Sequence, residues 1–205
     1  MDYRPISLLQ TSYKVFAKVL GTWLQQSLPR SISNSQQGLV HGRRMTNTLV
    51  MMMDQLLTAA DQEDIPAKQS RCILLLDFSK AYDKVDRWFM YETLHFLGFD
   101  KHFIDLIHRI RNYITASFVA NGRETPALSV RSGIRRGCAL APLLFLLVVK
   151  VLDLALKQDP ALMGLQTQRM SGQIHLFSAF FYDSTLYSRR LISFRMLRLV
   201  KSFRD

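Results

Sequence analysis

A chain of 205 residues, 48% of them hydrophobic, can bury one sizeable core or two small ones and is too apolar to be a disordered polymer. Its longest apolar stretch, residues 139–149, is about half the ~20 residues a membrane helix needs, so it reads as a buried helix and no membrane partner is expected. Lys and Arg number 27 against 16 Asp and Glu; of the formal charge of +11, residues 189–205 hold +5 and the remainder +6, which favours a polyanionic partner.

Apolar residues at Val15, Phe16, Val19, Leu20, Trp23 and Leu24 recur at helical spacing and predict a helix over residues 12–28 that ends before Pro29. After the basic turn Gly42-Arg43-Arg44 a second helix is expected over residues 48–60. Residues 61–70 are polar, contain Pro66 and read as a loop. The loop leads into the apolar run 72–76, which predicts a strand buried on both faces and ending in Asp77. Val85, Trp88, Phe89, Met90, Leu94 and Leu97 predict a helix stopped by Gly98. Phe103, Leu106, Ile107, Ile110 and Ile114 form the sheet-facing stripe of the next helix. Asn121-Gly122, between residues 117–119 and 125–130, is a strong hairpin signal, and Pro142 opens a helix that continues over residues 143–156. A second apolar and aromatic run, residues 174–182, then delivers Asp183. In the tail Leu191, Phe194, Leu197 and Leu199 alternate with arginines. That pattern reads either as a basic amphipathic helix for nucleic acid or a membrane surface, or as nonnative sequence after a truncation or frameshift.

Asp77 and Asp183 carry the chemistry. A carboxylate at the end of a buried strand has a fixed position, and two such strands side by side would make an oxygen-ligand site for Mg²⁺. Two ions about 3.5–4 Å apart are the recurrent arrangement for nucleotidyl transfer. Each aspartate also has a plainer reading: Asp77 as the N-cap of a helix beginning near Ser79, and Asp183-Ser184 as the turn between residues 176–182 and 185–187. Cys72 and Cys138 form no Cys-x-x-Cys, and His41, His95, His102, His108 and His175 show no zinc spacing. Together with the lack of a secretory pattern at the N-terminus, these predict a reduced, intracellular protein that is not secreted.

Five blocks, in order, extend the reading. Tyr3-Arg4-Pro5-Ile6-Ser7-Leu8-Leu9, with Tyr13-Lys14, comes first, and Gln36-Gln37-Gly38-Leu39-Val40-His41-Gly42-Arg43 second. Asp77-Phe78-Ser79-Lys80-Ala81-Tyr82-Asp83 is third, residues 132–145 with Gly133, Arg135, Arg136, Gly137 and Cys138 are fourth, and Phe181-Tyr182-Asp183-Ser184-Thr185-Leu186-Tyr187 is fifth. This series resembles the fingers and palm of non-LTR (LINE-type) retrotransposon reverse transcriptases, over residues 2 to 187. The third block matches that family's Asp-Phe-x-Lys-Ala-Phe/Tyr-Asp and the fifth its Phe-Ala-Asp-Asp-Thr.

The resemblance implies an α+β fold of the reverse-transcriptase right-hand type: an antiparallel palm sheet packed on helices, with helical fingers. It divides the chain into fingers (residues 1–65), palm (66–188) and a basic tail (189–205), with no thumb pattern after Tyr187. It implies RNA-directed DNA polymerisation with an RNA template, a DNA primer and deoxynucleoside triphosphates, and it allows a nuclear location. Two Mg²⁺ ions are expected, with Mn²⁺ as a substitute. The catalytic carboxylates would be Asp77 and Asp183, and the Phe78 carbonyl a further metal ligand. Arg43 would hold the triphosphate, Tyr82 would lie under the sugar and exclude a 2′-hydroxyl, Gly137 would let the backbone approach the nucleotide, and Arg136 would lie near nucleotide and template. Plainer roles stand beside these: ring packing for Tyr82, a turn for Gly137, a solvated helix face for Lys80, Asp83, Lys84 and Asp86.

The departures fall at chemically sensitive places. Ser184 replaces the second aspartate of the family's pair, Arg136 a glutamine, Ala139 a proline, Ala141 a serine and Thr48 an asparagine. Losing a carboxylate at position 184 predicts an impaired enzyme, whose extension Ser184→Asp would restore by about 10²-fold. The alternative is a catalytically dead remnant acting as a nucleic-acid-binding module.

Overall fold

The computed structural model describes residues 7–60, 72–78, 80–112, 114–135, 137–160, 162–166, 174–180 and 183–188. Residues 3–6 of the first block, the loop expected at 61–70, Ser79, Arg136 and the basic tail lie outside the described residues.

In chain order the helices are α1 (Thr11–Ser31), α2 (Met45–Ala60), α3 (Ala81–Lys84), α4 (Arg87–Phe96), α5 (Lys101–Arg111) and α6 (Ala141–Gln158). The strands are β1 (Cys72–Asp77), β2 (Thr115–Ala116), β3 (Val119–Ala120), β4 (Arg123–Glu124), β5 (Leu128–Ser129), β6 (Leu165–Gln166), β7 (Ile174–His175), β8 (Phe177–Phe180) and β9 (Asp183–Ser188).

Where periodicity is strong the expected elements are present. α1 buries Ala17, Leu20, Gly21, Leu24 and Leu28, but it runs through Pro29 instead of ending before it. A proline in a helix's last turn forfeits one bond there, and the end is closed by Ile32 N–H donating to the Leu28 carbonyl at 2.9 Å. The helix expected from Val85 to Leu97 is present as one element, α4, which starts two residues later, at Arg87. Asp86 accepts from the Phe89 N–H at 2.8 Å and thereby caps a fresh helix, α4, after the short α3. In α5 the fully buried line is Ile104, Ile107 and Arg111, flanked by the half-buried Phe103, Leu106 and Ile110. Ile114 lies beyond the helix end. The hairpin forms as expected, with β3 paired to β4 and β2 to β5. Asn121 and Gly122 take φ of 52° and 73°, the two left-handed positions of a type I′ turn.

β1, β9 and β8 form one antiparallel sheet with β9 in the centre. A parallel bridge between Gln36 and Ala179 extends it on the β8 side, where Gln37 N–H donates to the Ala179 carbonyl and Ala179 N–H to the Ser35 carbonyl, each at 2.9 Å. Strand side chains alternate between faces, so the register assigns them. Leu74, Leu76, Ser184, Leu186, Phe177 and Ala179 share the face packed into the core; Asp77, Leu75, Asp183, Thr185 and Tyr187 share the other. α6 lies in this core, buried at 11 of its 18 residues, which is why its sequence is apolar almost all round. Thr48 of α2 meets Ser178 of β8 at 3.3 Å on the opposite face. β1 is therefore not buried on both faces as its apolar run predicted. Among the described residues it is the edge strand of this sheet, and its Leu75 is 69% exposed.

One cluster of buried side chains runs from Leu9 through α1, α4, α5 and α6 to Leu186, so the expected fingers and palm residues share a core. The antiparallel sheet packed on helices is the α+β arrangement expected. Among the described residues no helix is long and apolar enough to cross a membrane.

Candidate active site

β1 and β9 run antiparallel with Asp77 directly opposite Asp183. Directly opposed residues point to the same face with Cβ atoms about 4.5–5.5 Å apart, so the carboxylates stand side by side. Both residues are exposed. Neither belongs to the ion pairs found among the described residues, in which Lys150 and Lys157 bind Asp153. Two unneutralised carboxylates on neighbouring strands repel each other, and a cation between them relieves that repulsion. Asp77 is not a helix cap: the N-cap position of α3 is Lys80, left-handed at φ 55°, with no side-chain capping bond. Asp183 begins β9 and does not end the strand before it. β8 and β9 form a hairpin in which Phe180 pairs with Asp183 and only residues 181 and 182 intervene.

The Phe78 carbonyl accepts the Ala81 N–H at 3.2 Å, closing the turn into α3. A carbonyl oxygen has a second lone pair, so it still can serve as a ligand. Among the described residues no three His, Cys, Asp or Glu side chains cluster. The donors on offer are thus two carboxylates and one carbonyl, the hard oxygen set that suits Mg²⁺ or Mn²⁺ and not zinc.

Ser184 is elsewhere. Its cross-strand partners are Leu76 and Ala179, so alternation turns its side chain to the core face, away from Asp183. It is 2% exposed and its Oγ has no hydrogen-bond partner. The expectation that a carboxylate at position 184 would join Asp77 and Asp183 around a metal is corrected: neighbours within one strand cannot share a face.

Arg43 is also placed differently from its expected role. Its Nη1 donates to the carbonyls of Ser33 at 2.5 Å and Gln36 at 2.6 Å, and its Nη2 to the Ile32 carbonyl at 3.2 Å and the Asn34 side chain at 3.4 Å. Both guanidinium ends thus hold the 32–36 turn that joins α1 to the sheet edge, and burial pushes the group's pKa down. It is a backbone clamp; a triphosphate would have to displace these carbonyls.

Tyr82 is half-buried, its ring 5.2 Å from that of Phe145 at 49°, and its carbonyl accepts the Ile134 N–H. Packing and a sugar-facing edge are thus compatible readings of one ring. Gly133 makes the approach possible: at φ 79° it lies so close to α3 that a Cβ would meet the Asp83 carbonyl oxygen at 2.8 Å. Gly137, expected to let the backbone approach the nucleotide, is left-handed at φ 86°, and among the described residues a Cβ there would meet the Ser7 carbonyl at 3.2 Å. Arg136 lies outside the described residues.

The reverse transcriptase (RNA-dependent DNA polymerase) family model matches residues 1–195. The chain belongs to this family. Among curated relatives, the reverse transcriptase domain is 30% identical over 149 residues to the 149 kDa protein of transposon TX1 from Xenopus laevis, covering 73% of this chain and 11% of that one. It is 24% identical to the Pol polyprotein of the type-1 retrotransposable element R2 of Popillia japonica, over 80% of this chain and 22% of the relative. It is 25% identical to that of the type-2 element R2DM of Drosophila melanogaster, over 96% of this chain and 17% of the relative. The chain therefore spans under a quarter of the length of these retrotransposon relatives. Its fold is similar to that of an apo telomerase from Candida tropicalis truncated from its C-terminal domain, at a TM-score of 0.56 and 10% identity, over 94% of this chain and 37% of that one. The chain is a reverse transcriptase domain of the non-LTR retrotransposon type, from a family that uses divalent metal ions.

Proposed function

We propose that this domain catalyses RNA-templated DNA synthesis, the attack of a primer 3′-hydroxyl on the α-phosphate of a deoxynucleoside triphosphate with release of pyrophosphate. The observation that carries the reading is the opposition of Asp77 and Asp183, exposed and outside the ion pairs, on adjacent strands. Their carboxylates and the Phe78 carbonyl would hold two Mg²⁺ ions, or Mn²⁺ in their place. Ions bound there would neutralise the charge that develops on the attacking and leaving oxygens. The protein's own part is positional: paired strands fix the two carboxylates, and Tyr82, braced by Phe145, offers a rigid ring to the deoxyribose. The template is RNA, the primer DNA, and positive charge outside the tail supports a grip on their backbones. Arg136 completes this reading as a template or nucleotide contact on sequence grounds.

The dead-remnant alternative rested largely on Ser184. A side chain on the core face supplies nothing to the carboxylate face, so its identity is no reason to remove catalysis from the domain.

Primer extension on a homopolymer RNA template with Mg²⁺ or Mn²⁺ tests the proposal. Metal-dependent extension is expected, lowered at least about 10²-fold by Asp77→Asn or Asp183→Asn while hybrid binding persists. Extension that both variants retain at full rate would refute the assignment of the site.

A further inference from the structure

We propose that Arg111 is the centre of a buried site for a phosphate-class oxyanion, completed by Arg87, Arg135, Tyr91 and Tyr13. Arg111 closes α5 with 1% of its surface exposed, and its Nε and Nη2 have no acceptor. These two nitrogens form one edge of the guanidinium, the fork that takes two oxygens of a carboxylate or phosphate at once. An arginine cannot shed its proton to escape burial, so an unneutralised fork at this depth needs an anion.

The surroundings deepen that need. Arg87 donates through Nη1 to the Arg111 carbonyl at 3.1 Å and through Nη2 to the Ser132 carbonyl at 3.4 Å, leaving its buried Nε without an acceptor. Arg135 donates to the Thr115 carbonyl at 2.8 Å. Tyr91 Oη is buried and unpartnered, and Tyr13 Oη meets Cys138 Sγ at 3.8 Å. Among the described residues the ion pairs belong to Asp153, so three guanidiniums gather without a carboxylate. Burial pushes Arg111 and Arg135 down, in keeping with uncompensated charge. Burial likewise raises Tyr91 and pushes Tyr13 up to about 12, so both hydroxyls stay protonated donors at neutral pH. A phosphate-class oxyanion is the ligand proposed, because it offers two oxygens to the Arg111 fork and keeps further oxygens for the other unpartnered donors, Arg87 Nε and Tyr91 Oη. Arg87, Arg135 and Tyr91 are half-buried.

The site uses neither Asp77 nor Asp183, and its test is independent of polymerase activity. The full chain is melted in phosphate-free buffer at constant ionic strength while inorganic phosphate replaces chloride. The melting temperature should rise and saturate, by about 5–10 °C at a hundredfold excess over Kd. Arg111→Lys keeps the charge and loses the fork, and should lose most of that shift. Arg111→Met should melt no lower than wild type without phosphate, since a buried unpaired charge has gone, and should not respond to phosphate. A parallel titration with a deoxynucleoside monophosphate separates the two sources of the oxyanion: a comparable shift assigns the site to a nucleotide's phosphate, none to free phosphate. A wild-type melting temperature that phosphate leaves unmoved, or a shift that persists in Arg111→Lys, overturns the proposal.

Discussion

Substituting aspartate for Ser184 would restore the family's pair of carboxylates in sequence and, on this fold, should damage the protein. The side chain at 184 is 2% exposed between Leu76 and Ala179. A carboxylate left ionised there would suffer the full desolvation penalty, so the cheaper outcome is protonation. Holding a group of ordinary pKa about 3.9 neutral at pH 7 costs about 4 kcal/mol, and fitting the larger side chain adds roughly 1–3 kcal/mol. Its pKa is raised in the folded state, so the electrostatic penalty is absent below about pH 4, reaches about 1.5 kcal/mol at pH 5 and grows further towards neutrality. Thermal melts of Ser184→Asp and wild type should therefore diverge with pH, by at least about 8 °C at pH 7 and by much less at pH 4. Ser184→Ala is the control: it removes an unpartnered hydroxyl and should be neutral or stabilise by about 1 kcal/mol. Primer extension should rise in neither variant. A Ser184→Asp protein as stable as wild type that extends primers about 10²-fold faster would refute the reasoning, because its carboxylate would then have reached the face of Asp77 and Asp183.

Arg43→Ala should lower stability by about 2–3 kcal/mol, because it strips three backbone carbonyls of a charged donor, while leaving KM for deoxynucleoside triphosphates unchanged; a large rise in KM with unaltered stability would return Arg43 to the triphosphate. Burial raises the Asp153 carboxyl, but hydrogen bonds from Ser33 and Lys157 and the charges of Lys157 and Lys150 outweigh it and leave the pKa lowered. Its stabilising contribution is then complete above about pH 4 and lost as pH falls through the folded value, so Asp153→Asn should flatten the acid limb of the stability profile and cost about 3 kcal/mol at pH 7. Binding of an RNA–DNA hybrid should weaken steeply with salt, and an affinity indifferent to salt would count against a nucleic-acid partner.

The long helices were legible because their apolar periodicity is strong, and the hairpin because Asn-Gly selects a type I′ turn. Boundaries decided by a single polar contact were not legible. Asp86, with its capping bond, starts α4 two residues after the expected Val85, and Pro29 stays inside α1 because only the last turn is affected. The apolar run of β1 carries no mark of its place at the sheet edge, since covering both faces depends on elements far away in the chain. Arg111 falls seven residues after Ile104 and four after Ile107, on the buried line of α5, yet a pattern counted in apolar residues passes over a charged one.

Of the site, composition and order pointed to Asp77 and Asp183, whereas facing depends on register. With Asp183 taken as the end of a strand, Ser184 falls in a turn, where two successive side chains can converge on one metal. With Asp183 as the first residue of β9, paired to Asp77 on one side and Phe180 on the other, Ser184 is already inside the ladder and must point the opposite way. A shift of one residue in where the strand begins thus decides whether position 184 belongs to the chemistry or to the core. The same logic reassigns Arg43: its motif places it near the sheet edge, but only the folded turn at residues 32–36 shows which acceptors reach its guanidinium first. A motif specifies which side chains arrive at the sheet, and the hydrogen-bonded backbone specifies on which face, and against which partners, each of them acts.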